Sequence, residues 1–456
     1  MAHPQLSFPN LLPLLQGGLP GYFARTPRKV DPPRLMAFLV LMTGFGRKGY
    51  RRVLAELRSG MGRAFGWHDE DSFPSPQAIG HARLSLSREH CRQAFLAVQA
   101  GCTASAATPV AAYGGMRLLA IDGTRLGLAP APKLIEHFGV PSNQTGDALA
   151  PMAGLVQLWD VGRNTPVAFV LAGCAFDERT CARELTAGIG RNDLLIGDRG
   201  FHSYEFFREL SCRRRCMFLL RIARTANREV IEFLASGQDE AVVRLTKRNH
   251  HGTRVDGTPA IPVRLLRIEL PNGEIEVLAT NLWRQRGHPR TTLAALYIQR
   301  WRIETAFREM KVYHALETFS ATYPDGIYQE ITAIQIFLLL VAEVEAMARA
   351  SHPIAAPATP AAAPDPEPTA APRELNPARI TTPPAIDHGI RFNRVLIADC
   401  VIHCFRAYAT GGNTELQRVL RLLLSDLWRY RSKARPGRQY PRIRRRPTRG
   451  YRKSGD

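Results

Sequence analysis

Between positions 296 and 316 the chain reads LYIQRWRIETAFREMKVYHAL, with no proline or glycine and apolar residues at helical spacing. On a helical wheel of about 100° per residue, Tyr297, Arg300, Glu304 and Lys311 fall within roughly 60° of one another. That face joins a carboxylate, able to ligate a hard cation or move a proton, to two cations able to pair with an anion. Leu296, Ile303, Phe307 and Met310 cluster on the adjoining arc, so the stretch is predicted to be one helix that buries a stripe and holds the polar set beside it. The plainer alternative is a solvated face in which Glu304 pairs with Arg308 at i,i+4.

A single carboxylate does little without elements that bring others to it. From Met116 the period changes: RLLAIDGTRLGL is a short apolar run that reaches Asp122-Gly123, the pattern of a buried strand carrying an acid at its end. MAGLVQLWDV and TPVAFVLAG then flank Gly162-Arg163-Asn164 and read as a hairpin. A helical segment follows near 179–188, and NDLLIGD at 192–198 is a second buried strand, ending in Asp198-Arg199-Gly200. SYEFFREL is helical and CMFLLRI a further strand. Taken alone, Asp-Gly or Asp-Arg-Gly after a strand is more often a turn than a site. The nearest rival acids are Asp193, which starts its strand where Asp198 ends it, and Glu309, which points away from the shared face.

The full spacing Tyr-x2-Arg-x3-Glu-x6-Lys, with YIQRWRIETAFREMK around it and LATNLW before it, resembles the signature of DDE transposases of the insertion-sequence-four family. Strand, hairpin, helix, strand with an acid at its tip, helix is an order that suits the α/β fold of that family, a ribonuclease H-like mixed sheet flanked by helices. The resemblance implies a transposase that performs metal-dependent DNA cleavage and strand transfer, with Asp122, Asp198 and Glu304 as catalytic and metal-binding acids. Two magnesium ions, for which manganese can substitute, need hard oxygen ligands and sit about 3.5 to 4 Å apart in such sites. Tyr297, Arg300 and Lys311 would grip terminal DNA phosphates or a displaced base. Partners implied are the terminal inverted repeats and target DNA, with a homodimer pairing two ends. Left open are a catalytically inactive DNA-binding derivative and a ribonuclease H-like nuclease that only hydrolyses.

Over 456 residues the formal charge is +21, which calls for a polyanionic partner, nucleic acid before an anionic membrane. From 429 to 456 there are 12 Lys or Arg against one acid, interleaved with Tyr430, Tyr440 and Tyr451, so Arg444, Arg445 and Arg446 are candidate DNA contacts. The apolar runs at 35–43 and 331–342 are too short to span a membrane, and the first residues lack the pattern of a cleavable leader; a cytoplasmic, nucleoid-associated protein is expected. Eight cysteines without CxxC pairs read as reduced thiols.

The expected division is a helical N-terminal DNA-binding domain at 1–108 and a catalytic domain at 109–350 that contains an inserted antiparallel β subdomain at 224–285. A Pro/Ala-rich linker at 351–386, with 10 prolines and 10 alanines, precedes C-terminal helices at 387–430 and a basic, disordered tail at 431–456. Within the first domain, Ser75-Pro76 and Ser87 are helix-start signals, and a helix-turn-helix there would offer Gln77, His81 and Arg83 to DNA.

Overall fold

The computed structural model describes residues 8–21, 30–46, 49–68, 73–105, 112–143, 146–147, 150–248, 253–270, 273–284, 287–351 and 390–433. Its centre is one mixed sheet. In chain order the strands are β1 (Met116–Gly127), β2 (Met152–Asp160), β3 (Thr165–Ala172), β4 (Asp193–Gly197), β5 (Met217–Ile222), β6 (Glu240–Leu245), β7 (Ile261–Glu269) and β8 (Ile275–Thr280). They lie side by side as β3-β2-β1-β4-β5-β8-β7-β6. The first three form an antiparallel meander, and β4 and β5 then add in parallel. This is the ribonuclease H-like mixed sheet expected from the element order. The hairpin between β2 and β3 turns at Asn164 with φ 57°, its side chain accepting from Trp159 Nε1 at 3.2 Å.

The stretch 224–285 gives antiparallel strands as expected, but they extend the central sheet. β8 pairs with β5, and β7 and β6 follow outward. A bare β5 edge would leave a row of backbone donors and acceptors unpaired, and the excursion covers it. A helix that the alternation did not announce, Arg228–Ala235, lies inside this stretch, capped by Asn227.

Helices cover both faces. Before the sheet come α1 (Leu11–Gly18), α2 (Pro32–Gly44), α3 (Tyr50–Glu56), α4 (Pro76–Ser85) and α5 (Arg88–Ser105). Asp31 caps α2 through the Arg34 N–H at 2.8 Å, and Ser75 caps α4 through that of Ala78 at 3.1 Å. On one face of the sheet lie α6 (Glu178–Leu185) and α7 (Tyr204–Arg208). Against the other lie α8 (Arg290–Tyr297), α9 (Trp301–Val312) and α10 (Pro324–Ser351). α10 is buried nearly all round: Ile327, Ile331, Ile334 and Leu338 pack on the sheet, whereas Ile336, Phe337 and Leu340 join the core of the N-terminal helices. It is long and apolar enough to cross a membrane, yet 94% of its most apolar stretch is buried inside the protein, where it is the wall between two cores. α11 (Arg394–Arg429), broken at Gly411 and Gly412, closes over that wall.

The stretch 296–316 departs from the single helix expected. α8 ends at Tyr297, Ile298–Arg300 form a 3-10 turn, and α9 begins at Trp301. Tighter winding brings i and i+3 side chains into line, and the Arg300 guanidinium accordingly lies 5.8 Å from the centre of the Tyr297 ring. The apolar stripe holds: Leu296, Ile303, Phe307 and Met310 are buried.

Candidate active site

Register places the two aspartates. β1 and β4 run parallel, and their last aligned pair is Ile121 with Gly197, so Asp122 and Asp198 emerge level on adjoining strands. β1 does not end at its acid; it continues to Gly127 along β2, and Asp122 stands where the strand loses its parallel neighbour. Leu118, Ala120, Leu194 and Ile196 belong to the core under α9 and α10, and period-two alternation sends Asp122 and Asp198 to that side. Each acid is braced by its own backbone: Gly123 N–H donates to Asp122 Oδ1 at 2.9 Å, and Arg199 N–H to Asp198 Oδ1 at 2.6 Å.

α9 supplies the third acid. Ile303, Phe307 and Met310 seat it on the sheet, leaving Glu304 about one-third exposed at 34%. Two arginines sit among the carboxylates. Arg300 Nη1 is 2.7 Å from Glu304 Oε1 and 3.6 Å from Asp122 Oδ2, while Arg221 of β5 donates from Nε to Asp198 at 2.6 Å and also pairs with Glu276. The i,i+4 partner of Glu304 is thus Arg300, not Arg308.

The electrostatics of Asp122 register both other acids. Burial, with Glu304 and Asp198 adding to it, pushes the Asp122 carboxyl up to about 6 against the pull of the Gly123 N–H and Arg300. Asp198 goes the other way. Burial pushes it up, but the Arg199 N–H and the Arg221 guanidinium more than offset that and hold it below the ordinary carboxylate range.

The remaining candidates are placed as follows. Tyr297 is buried and its hydroxyl donates to the Gly197 carbonyl at 3.4 Å, bracing the strand that leads to Asp198; Arg300 is only 5% exposed. As placed, both serve the acids from within. Lys311 Nζ donates to the Arg125 carbonyl at 2.8 Å and lies 3.5 Å from Glu317. Arg444, Arg445 and Arg446 lie outside the described residues, as does most of the Pro/Ala stretch. The rival acids are both engaged elsewhere, Asp193 by Arg117 and Glu309 by Arg394.

On α4, Gln77 and His81 face outward, but Arg83 does not. It is 2% exposed and bonded to Gln329 and Glu330, so it ties α4 to α10 and is not available to DNA. Sequence reasoning missed Arg221; its one trace was a lone cation inside the apolar run CMFLLRI.

Three carboxylates are the hard-oxygen donor set that magnesium or manganese takes. Among the described residues no three potential ligands converge within an ion's reach, because the Arg300 guanidinium stands between Asp122 and Glu304. The Nε of that guanidinium is buried without a hydrogen-bond partner. Donor type and charge fit divalent ions; the observed side-chain placement is the arginine-paired arrangement.

A family profile described as "Transposase DDE domain" matches residues 113–340, half of the chain. Transposase InsG for insertion sequence element IS4, from Escherichia coli strain K12, is 26% identical over 275 residues, covering 59% of this chain and 61% of its own length. The chain therefore spans about three-fifths of that relative. A cryo-EM structure of the piggyBac transposase synaptic complex with hairpin DNA aligns with 94% of this chain and 82% of its own, at a TM-score of 0.40 and 11% identity, and the assignment does not rest on it. On the family match and the relative, the chain belongs to the DDE transposases of the insertion-sequence-four type.

Proposed function

We propose that this protein cuts DNA at the ends of an insertion sequence and joins those ends to a target, using divalent ions held by Asp122, Asp198 and Glu304. The observation that supports the reading is Arg300 paired with Glu304 and 3.6 Å from Asp122, with Asp198 level with Asp122 on the adjoining strand. Magnesium or manganese bound there would activate an oxygen nucleophile and offset charge on the phosphate under attack. The chain's own part is positional. Tyr297 and the 3-10 turn fix Arg300, and a guanidinium in that place can pair with a phosphate in two-pronged fashion as readily as with carboxylates. Lys311 stands on the same helix as Glu304, one more cation along the expected path of the backbone.

The net charge of +21 fits a DNA partner, with terminal inverted repeats, target DNA and pairing of two ends by a homodimer as the proposed assembly, working at the nucleoid. The deciding experiment is Glu304→Gln with pre-formed terminal DNA in magnesium: cleavage should be lost, and persistence of cleavage would overturn the assignment. Joined products with the unaltered protein separate a transposase from a nuclease that only hydrolyses. Deleting 431–456 should weaken DNA binding and flatten the slope of log affinity against log salt; an unchanged slope would remove the tail from the interface.

A further inference from the structure

The two aspartates are followed by glycines, Gly123 directly after Asp122 and Gly200 two positions after Asp198. Neither takes a left-handed backbone conformation, so freedom of φ does not explain them. Space does. A Cβ on Gly123 would stand 2.9 Å from Glu178 Oε1, and a Cβ on Gly200 would stand 2.6 Å from Glu178 Oε2. One carboxylate therefore lies against the backbone of both acid-bearing segments at once.

It does so from behind. Leu119 and Ile121 belong to the core under α6 and α7, and Gly123 continues that alternation, so Glu178 touches β1 on the face opposite to Asp122. The element that carries it is firmly set. Asp177 caps α6, accepting from the N–H groups of Arg179 and Thr180 and from the Thr180 hydroxyl at 2.8 Å. Cys181, Ala182 and Leu185 bury the helix against the sheet. The next residue adds a second hold on the same loop, Arg179 Nε donating to the Gly200 carbonyl at 3.3 Å. Burial and the nearby Asp198 push the Glu178 carboxyl up, consistent with a group packed close behind the site.

We infer that Glu178 is a positioning residue: a strut from α6 that spans Gly123 and Gly200 and fixes the separation of the Asp122 and Asp198 segments for divalent-ion binding. The ion-binding half of this rests on the proposed function; the strut itself does not. Because the neighbour at each glycine is the far end of a flexible side chain, Gly200→Ala should displace the Glu178 carboxylate with little loss of stability, and so should reproduce the effect of Glu178→Ala.

Two measurements on the full chain test this. Hydrogen–deuterium exchange without metal should show faster exchange in Glu178→Ala at both the 120–124 and 198–203 segments, with the N-terminal helices unchanged. Faster exchange at neither segment, or at one alone, overturns the strut, as does a general rise across the molecule. Calorimetric titration with manganese should then show affinity about 10-fold to 100-fold weaker in Glu178→Ala and in Gly200→Ala, with the double variant no worse than either, and most of the affinity kept in Glu178→Gln, which preserves length. Affinity within about twofold of the parent in Glu178→Ala, with binding abolished in Asp198→Asn, overturns the positioning role. A parent protein that binds no manganese defeats the proposed function instead, and the exchange result still decides the strut.

Discussion

α9 carries two glutamates five positions apart with opposite fates, Glu304 and Glu309. Glu304 looks toward the strand ends, is one-third exposed, and its cation Arg300 is shared with Asp122. Glu309 looks away from them and is 6% exposed. It is held by Arg394, which arrives from α11 at 2.9 Å and reaches Glu345 of α10 at the same distance, with His314 nearby. Burial pushes the Glu309 carboxyl up, but Arg394 and His314 bring it below the ordinary range. One acid is thus fully committed to holding three helices together. The other is left with a replaceable partner at an open edge. A candidate site acid thus stands out by incomplete satisfaction as much as by position.

Removing each charge in turn separates the two acids most clearly. Glu304→Gln should cost on the order of 10⁴-fold in the single-turnover cleavage rate, with the melting temperature nearly unchanged. A large loss of stability there would make Glu304 a structural acid like its neighbour. Arg394→Ala should do the reverse. With Glu309 left to His314 alone and Glu345 to Arg349 alone, urea unfolding should show a loss of roughly 3 kcal/mol, and Arg394→Met combined with Glu309→Gln should recover much of it.

A smaller effect is expected from pH. Asp122 sits near 6 in the folded chain against an ordinary 3.8, so the native state holds more protons than the unfolded state between those values. Stability should fall as pH rises through that window and stay lower above it. Asp122→Asn should then be more stable than the parent above pH 6, by on the order of 1 to 3 kcal/mol, with the gap closing below about pH 4. Thermal melts across pH check the sign. The smallest effect belongs to Arg308, exposed between the two acids: Arg308→Ala should shift stability by less than about 0.5 kcal/mol. A larger loss would mean that Glu304 pairs with Arg308 and not with Arg300.

How much of this was readable beforehand follows from sequence distance. Short apolar runs announced β1, β4 and β5, and helical spacing announced α9 with its buried stripe. The 3-10 turn at Ile298–Arg300 left no mark, because no proline or glycine stands there. Arg83 looked like a surface cation because its partner Glu330 is 247 positions away, and nothing near Glu309 announced Arg394, 85 positions on. The 224–285 stretch showed its alternation but not its neighbour, since pairing to β5 is decided by an open edge that no local pattern displays. Glu178 gave no warning at all: its contacts are with two glycines, which have no side chain to suggest a match.

The alignment of Ile121 with Gly197 makes the length of β4 critical. Side chains alternate across a strand, so losing or gaining a single residue within β4 would slide the ladder by one step and turn Asp198 toward α6, on the wrong side of the sheet. Leu194, Leu195 and Ile196, all buried, tolerate apolar exchange of like volume, but the strand fixes their count. With Asp198 in its proposed role, a frame-preserving indel within β4 would remove it from the site, which an exchange of one apolar residue for another would not.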